Sequence, residues 1–263
     1  MDSFSQHTVI SCQDLSIGYK NKKKVAVIAS AVGFSITQGT LVSLVGSNGI
    51  GKSTLLKSLT AMLPPLSGSL QIDTKEITAY SALELSSKLS VVLTEAPASK
   101  NLTVLELVSL GRQPHTNWMG KLTKNDKDII QQALEDTDLV SLKNKNCFEL
   151  SDGQLQRVYI ARALAQDTSL IILDEPTTHL DLYHRAAIVK LLKKLTVEKN
   201  KTILFSTHEI DLAIQISDKM LVMTPKNIAF DSPCTLIKQG AFDILFPNEI
   251  VVFDKKTGRF SVT

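Results

Sequence analysis

Short apolar runs alternate along this chain with stretches of helical periodicity. Residues 169–173 form a continuous apolar run, as in a strand that is buried on both faces of a sheet, and residues 201–206 predict another buried strand. After the first of these runs, residues 185–195 carry apolar side chains at helical spacing. Strands that alternate with helices predict an α/β fold whose sheet is mainly parallel.

The first forty residues have a different pattern. Residues 9–19 alternate loosely between apolar and polar positions, which predicts an edge strand. Residues 25–36 are small or β-branched and predict one or two further strands, and Gln38 and Gly39 then form a turn. Because these strands come before the first strand–helix unit, we expect them to form an antiparallel β layer beside the parallel sheet.

Residues 102–148 are helical in pattern, with little strand signal. Gly111 ends a first amphipathic helix, and Thr123 with Asp126 predicts a capping box that opens a second one. We therefore predict a single domain over residues 1–263. Its core covers about residues 1–97 and 149–263, and a helical lobe of about residues 98–148 is inserted into it.

Composition narrows the class of protein. Hydrophobic residues make up 43% of the chain and charged residues 21%, which is ordinary for a globular protein. The net charge of +3 is too small to indicate nucleic acid as a partner. The cysteines at Cys12, Cys147 and Cys234 show neither metal-ligand nor disulfide spacing, which favours a reducing cytoplasm.

The N-terminal residues lack the pattern of a signal peptide. No apolar run approaches the roughly 20 residues that a membrane-spanning helix needs. Any role at a membrane is therefore expected to come through a partner chain.

The clearest motif is a glycine-rich loop between an apolar run and a helical stretch. The loop reads Gly46-Ser47-Asn48-Gly49-Ile50-Gly51-Lys52-Ser53-Thr54 and follows the apolar residues 40–45. G-x-x-x-x-G-K-S in a strand–loop–helix setting is the phosphate-binding loop. The alternative is a glycine-rich turn that happens to precede Lys-Ser.

The residue types of this loop suit a nucleoside triphosphate. Gly46, Gly49 and Gly51 let the backbone curl so that its N–H groups point at phosphate oxygens. The helix that follows favours an anion at its start. Lys52 can reach the outer phosphates, and the Ser53 hydroxyl can ligate Mg²⁺.

Three further apolar runs end in polar residues: Glu95, the pair Asp174 and Glu175, and His208. Ligands of open parallel sheets bind beyond the carboxyl ends of the strands, so these residues are expected to meet at the phosphate loop. Asp174 is placed to hold Mg²⁺, and Glu175 to activate water. The alternatives are an ordinary strand-end turn for the two carboxylates and a turn or core histidine for His208.

Ser151-Asp152-Gly153-Gln154 opens a helix and forms a second candidate anion site. The alternative is a plain N-cap by Ser151, and both roles can hold together. Tyr19 ends the first predicted strand. It is either a half-exposed strand residue or an aromatic face on which adenine stacks.

Taken together, these motifs resemble the ATP-binding subunit of an ABC transporter, over nearly the whole chain. The matching stretches, in chain order, are the adenine-stacking Tyr19, the Walker A loop at 46–54, the signature at 150–154, the Walker B strand at 170–174 followed by Glu175, the D-loop at 178–181 that ends in Asp181, and the switch histidine His208.

The resemblance implies a P-loop NTPase core that uses ATP and Mg²⁺. It implies a head-to-tail homodimer, in which the Walker motifs of one copy and the signature of the other hold ATP between them. Glu175 would polarise the attacking water, and Lys52, Mg²⁺ and the opposing helix start would neutralise charge. The subunit would lie on the cytoplasmic face of the inner (plasma) membrane as a peripheral protein. Its partners would be polytopic permease subunits and, indirectly, a substrate-binding protein.

Two positions depart from the family pattern. Glu95 stands where the family usually has the glutamine of the Q-loop, and a carboxylate at this position can still ligate Mg²⁺. Asp152 stands where glycine is usual in the signature. Because a γ-phosphate would repel an acidic side chain, we expect Asp152 to point away from the nucleotide.

Residues 89–115 resemble the subunits that energise uptake of iron–siderophore, haem or vitamin B12, and Trp118 follows that stretch. We read Trp118 either as a partner contact or as part of the lobe's core. The predicted function is ATP hydrolysis that drives import of an iron–siderophore, haem or cobalamin complex. The alternatives are an ABC ATPase for another cargo and a soluble scaffold ABC ATPase of the iron–sulfur assembly type.

Overall fold

The computed structural model describes residues 7–21, 24–93, 101–245, 251–255 and 257–262. The strands in these residues are β1 (Thr8–Asn21), β2 (Lys24–Thr37), β3 (Leu41–Gly46), β4 (Ser67–Ile72), β5 (Lys75–Glu76), β6 (Leu89–Val92), β7 (Leu170–Leu173), β8 (Thr202–Ser206), β9 (Lys219–Met223), β10 (Ile228–Asp231), β11 (Val251–Asp254) and β12 (Arg259–Val262). The α-helices are α1 (Lys52–Leu59), α2 (Ala82–Ser86), α3 (Val104–Ser109), α4 (Lys124–Asp136), α5 (Asp152–Ala165), α6 (Leu182–Lys199), α7 (Ile210–Ile216) and α8 (Pro233–Gln239).

The central sheet has six strands in the order β10–β9–β3–β8–β7–β6. The five strands β9, β3, β8, β7 and β6 are parallel to one another, and β10 is antiparallel to β9. Every residue of β3, β7 and β8 is buried. The predicted α/β fold with a mainly parallel sheet is confirmed, and the carboxyl ends of β3, β8 and β7 lie side by side.

A second sheet is antiparallel, in the order β2–β1–β4–β5. Residues 24–37 form one strand rather than two. The prediction that the first strand lies at an edge is wrong, because β1 pairs with β2 on one side and with β4 on the other. The second pairing matches Ile10 with Ile72, across a separation that local alternation does not reveal. The edge position belongs to β2.

Apolar residues along the central sheet alternate between two cores. Leu41, Ile171 and Ile203 pack in a cluster with α5 and α6. Their neighbours Val42 and Leu204 pack in a cluster with α1 and the antiparallel sheet. Burial on both faces explains why these strands read as continuous apolar runs.

Helices α3 and α4 lie between β6 and β7 in the sequence. The prediction that Gly111 ends the first helix is incomplete, because a 3₁₀ helix continues from Leu110 to His115. Inside this segment the buried Arg112 forms an ion pair with Asp126 at 2.9 Å and donates to the Ala165 carbonyl at 2.9 Å. The boundaries of the lobe stay a prediction. Trp118 is 94% exposed, so it is not a core residue.

Candidate functional site

The glycine-rich loop joins the end of β3 to the start of α1. Gly49 and Gly51 have φ values of 74° and 116°, which L side chains rarely adopt. A Cβ on Gly51 would also overlap the side chain of Ile28. The predicted role of Gly46, which is to let the backbone curl, is replaced by a steric one. Its φ is not positive, but a Cβ there would lie 2.7 Å from the backbone oxygen of Met223.

The start of α1 is open. Its N-cap is Gly51, which provides no side-chain cap, and no acidic residue lies in the first turn. The first backbone N–H groups of a helix have no partner within the helix and carry the positive end of its dipole. This helix start is therefore suited to an external anion.

Lys52 lies across the loop. Its side chain is buried, and Nζ donates to the carbonyls of Gly46 at 2.9 Å and Ser47 at 3.2 Å. Burial lowers the pKa of the Lys52 ammonium, and the negative charges of Glu175 and Asp174 oppose that shift. The Lys52 ammonium is therefore held inside the glycine-rich loop.

Tyr19 lies beside the loop, the position that the predicted adenine-stacking role would need. Its hydroxyl is 3.2 Å from Thr54 Oγ1, and 45% of the residue is exposed. The strand-residue interpretation fits the same geometry, since Tyr19 also pairs with Ala26 across β1 and β2.

Contacts from Ser206, Thr178 and His208 hold Glu175 at the end of β7. Its backbone N–H donates to Ser206 Oγ at 2.8 Å, Thr178 Oγ1 donates to one carboxylate oxygen at 3.0 Å, and the other carboxylate oxygen contacts His208 Nε2. The φ of Glu175 is 50°, a left-handed conformation that costs an L residue about 1–2 kcal/mol. The surrounding contacts hold this strained residue in place.

A cavity of about 340 Å³ brings eight of the predicted residues together. It is lined by Asn48, Gly49, Gly51, Lys52, Ser53, Thr54, Glu175 and His208. Asp174 lies at the same strand end, where its Oδ1 accepts a hydrogen bond of 2.7 Å from Ser206 Oγ. Glu95 lies outside the described residues.

The signature residues lie at a second helix start, which does not line this cavity. Ser151 is the N-cap of α5, and its hydroxyl accepts the N–H of Gln154 at 3.3 Å. In return, Gln154 Oε1 accepts the N–H of Ser151 at 3.1 Å, which completes a capping box. Within one chain the plain N-cap interpretation holds. Asp152 is exposed.

Asp181 caps α6 close to this second helix start. Its Oδ1 accepts the backbone N–H of His184 at 2.8 Å and lies 2.8 Å from the ring Nδ1 of the same residue. The hydrogen bond from the His184 backbone lowers the pKa of Asp181. A Cβ on Gly153 would overlap the His184 ring, so the D-loop and the signature touch through His184.

Sequence reasoning assigns no role to three residues that touch the site. His184 belongs to no motif, because a lone histidine at a helix start carries no signal. The Ser206 hydroxyl becomes a neighbour of Glu175 only when β7 and β8 pair, so no local signal identifies it. Thr178 lies in the predicted D-loop stretch three residues after Glu175, so its contact is local, although the motif gives its hydroxyl no role.

The helices in the described part of the chain are each too short or too polar to span a bilayer. Residues 29–178 match the model of the ABC transporter family. The chain is 37% identical over 240 residues to the iron(3+)-hydroxamate import ATP-binding protein FhuC of Bacillus subtilis, which covers 91% of this chain and 85% of that protein. It is also 35% identical over 240 residues to the achromobactin transport ATP-binding protein CbrD of Dickeya dadantii. That match covers 91% of this chain and 88% of CbrD.

A solved structure extends the match to the fold. The chain superposes with a TM-score of 0.71 and 28% identity on a dimeric ATP-binding cassette bound to ADP and Pi, covering 85% of this chain and 98% of that one. The family match covers more than half of the sequence, and the relatives cover most of it. The chain therefore belongs to the ABC transporter family, as an ATP-binding subunit that hydrolyses ATP.

Proposed function

We propose that the 340 Å³ cavity holds the triphosphate of ATP and that Glu175 and His208 act on its γ-phosphate. The observation that carries this proposal is the convergence of the open helix start, the Lys52 cation and the Glu175–His208 pair on one cavity. Tyr19 lies at the edge of the loop, where adenine can stack on its exposed ring.

Mg²⁺ fits the residues present. Ser53 offers an exposed hydroxyl and Asp174 a carboxylate, and both are the hard oxygen donors that Mg²⁺ prefers. The described residues contain no group of three or more His, Cys, Asp or Glu that could hold a metal alone. That suits Mg²⁺, which is usually held by one or two carboxylates together with nucleotide phosphates. Glu95 is proposed as a further oxygen donor, and the bound cation would neutralise phosphate charge.

Glu175 orients and deprotonates the attacking water in this proposal. The water oxygen forms a bond to the γ-phosphorus while the bond to the ADP oxygen breaks, and the water proton passes to the Glu175 carboxylate. His208 contacts that carboxylate through Nε2, and its proposed role is to contact the γ-phosphate. Lys52 offsets the charge that builds on the transferring phosphoryl group.

Two copies of the chain pair head to tail in this proposal. The signature residues Ser151, Asp152, Gly153 and Gln154 do not line the cavity of their own chain. In a head-to-tail pair, the start of α5 in the second copy reaches the γ-phosphate from the open side of the cavity. The dimeric cassette to which this chain is similar supports that arrangement. Asp181 and His184 would lie at the same seam.

ATP-driven closure of this dimer is proposed to energise import of an iron–siderophore complex through a permease. The support is that relatives at 35–37% identity are named for hydroxamate and achromobactin transport. Haem and cobalamin remain candidate cargoes. The subunit would work on the cytoplasmic face of the inner membrane, with a substrate-binding protein delivering the cargo.

An apolar groove of about 590 Å³ is proposed to receive the permease. It is lined by side chains of α2 and β6, including Leu85 and Leu89, and by the exposed Met62. The strand β6 leads directly to Glu95, the position of the family's coupling loop. Met62→Glu should uncouple transport and keep basal hydrolysis. Val197→Glu, at an exposed apolar residue of α6 that does not line the groove, is the control.

The experiment that tests this function is uptake of radiolabelled iron, supplied as a ferric hydroxamate, in cells that lack the chain. Cells complemented with the wild-type chain should regain uptake. Cells carrying Glu175→Gln should not, because removing a general base lowers turnover by roughly 10²–10⁴-fold. The same purified variant should bind ATP normally.

Two results would count against the proposal. Wild-type turnover by purified Glu175→Gln would remove Glu175 as the base. Unchanged uptake of every ferric siderophore, haem and cobalamin in the deletion strain would point to another cargo or to a soluble scaffold ATPase.

A further inference from the structure

Ser206 is a fully buried residue at the end of β8, two positions before His208. Strands β7 and β8 are parallel, with Leu173 opposite Phe205. One step further along, Ser206 therefore comes level with Asp174, the first of the two acidic residues. The pairing of the strands carries the hydroxyl to the centre of the site.

The hydroxyl of Ser206 contacts both acidic residues at once. It donates to Asp174 Oδ1 at 2.7 Å and accepts the backbone N–H of Glu175 at 2.8 Å. The first bond fixes a carboxylate side chain. The second fixes the backbone of a residue whose φ of 50° is left-handed. Ser206 provides the acceptor that the partly buried N–H of Glu175 needs in that conformation.

Thr178 and His208 contact the carboxylate group of Glu175, and the Thr178 N–H also donates to the Glu175 carbonyl at 3.2 Å. These two residues orient the end of the side chain, whereas Ser206 holds the peptide from which that side chain extends. The contacts are complementary, because a carboxylate cannot be aimed accurately when its backbone is free to relax.

We propose that Ser206 is a positioning residue for ATP hydrolysis. Its single hydroxyl sets the spacing between the carboxylate assigned to Mg²⁺ and the carboxylate assigned to the attacking water. The inference rests on the proposed roles of Asp174 and Glu175. Ser206 itself touches neither the nucleotide nor the water.

The sharpest test compares Ser206→Thr with Ser206→Val, because the two variants have the same shape and differ in the hydroxyl. Ser206→Thr should keep kcat within about threefold of wild type. Ser206→Val should lower kcat by roughly 10- to 100-fold with KM for ATP changed less than about threefold, because positioning acts on the chemical step more than on phosphate binding.

Nucleotide binding provides a readout that does not depend on turnover. The gain in ATP affinity on adding Mg²⁺, measured against EDTA by calorimetry, should be smaller in Ser206→Val than in Ser206→Thr. Ser43→Ala is the matched control. Ser43 is a fully buried serine of the same sheet whose hydroxyl accepts a 3.0 Å bond from Ser217, away from the acidic residues. It should lower Tm and leave kcat unchanged.

Equal kcat values for Ser206→Val and Ser206→Thr would overturn the inference, as would a loss of kcat in Ser43→Ala equal to that in Ser206→Val. Both results would leave the proposed function standing, provided that Glu175→Gln still loses turnover. If Glu175→Gln hydrolyses ATP at the wild-type rate, the proposed roles fail first.

Discussion

The starts of helices α1 and α5 are both aimed at phosphate in the proposed mechanism, yet they are built differently. Helix α1 begins after Gly51, with no side-chain cap and no acidic residue in its first turn. Helix α5 begins after Ser151, whose hydroxyl and N–H are both bonded to Gln154, and Asp152 adds a negative charge. The first start is open and the second is sealed by its own side chains.

This difference indicates which helix start can bind phosphate without a second copy of the chain. An open helix start beside a buried lysine can bind phosphate in a single chain. At the sealed start the N–H of Gln154 is already bonded to Ser151, so fewer donors are left for phosphate than at the open start. A single chain is therefore expected to bind ATP, and only a pair of chains to hydrolyse it quickly.

Lys52→Ala breaks the open half and should have the largest effect. Loss of the cation should lower kcat by roughly 10²–10³-fold and also weaken ATP binding. Lys57→Ala, at an exposed lysine of the same helix, is the control and should keep both values. Phosphate release and fluorescent-nucleotide titration measure the two quantities. Normal ATP affinity in Lys52→Ala would contradict the assignment of the open half.

Ser151→Arg breaks the sealed half and should separate binding from turnover. Hydrolysis should fall by at least about 100-fold, because a bulky cation blocks the helix start that faces the second copy. ATP affinity of the monomer should not change. Ser81→Arg is the matched control, since Ser81 caps α2 with a similar capping box, outside the cavity. Equal loss of hydrolysis in both variants would mean that losing a helix cap explains the effect, without any contact between Ser151 and a second copy.

Asp126→Asn tests a sealed start that has no part in the reaction. At the start of α4, the Asp126 carboxylate accepts the N–H of Thr123 at 2.8 Å and pairs with the buried Arg112. Removing one partner of a buried ion pair should lower the free energy of unfolding by about 3 kcal/mol. Turnover per folded molecule should stay at the wild-type value. Urea unfolding and phosphate release test this, with the exposed Asp128→Asn as control.

The same variant carries a pH signature. Hydrogen bonds from Thr123, followed by the contact with Arg112, lower the pKa of Asp126 from 3.8 to about 2. A lowered carboxylate pKa contributes stability that is complete above the unfolded pKa and lost as pH falls through the folded one. The stability gap between wild type and Asp126→Asn should therefore be constant above about pH 5 and shrink between pH 4 and pH 2. A gap that does not change with pH would contradict the role of this charge.

Asp152→Asn should have the smallest effect. It removes the acidic residue by which the start of α5 differs from the start of α1. The charge of Asp152 favours the helix start in one chain and repels a phosphate brought by another. Its removal should lower Tm slightly and raise hydrolysis roughly two- to fivefold at low salt, with the gain fading at high salt. Asp128→Asn makes the same charge change on an exposed part of α4 and should leave hydrolysis unchanged. A fall in hydrolysis on removing the charge would show that Asp152 aids the reaction.

The open half of the site could be predicted from the sequence, because its information is local. The phosphate loop, the apolar runs and the acidic pair each lie within a few residues, and the parallel sheet followed from their alternation. What could not be predicted depends on pairing between distant segments. The position of β1 inside its sheet needs Ile72 opposite Ile10, and the contact of Ser206 with Asp174 needs the register of β7 and β8.

In the proposed mechanism, two chains bury ATP between the open start of α1 and the sealed start of α5. The decisive measurement is the oligomeric state by sedimentation, with MgATP, of Glu175→Gln and of the double variant that also carries Ser151→Arg. We expect a dimer for the single variant, and for the double variant a monomer that still binds one ATP. A monomeric single variant saturated with ATP, or a double variant that dimerises equally well, would contradict it.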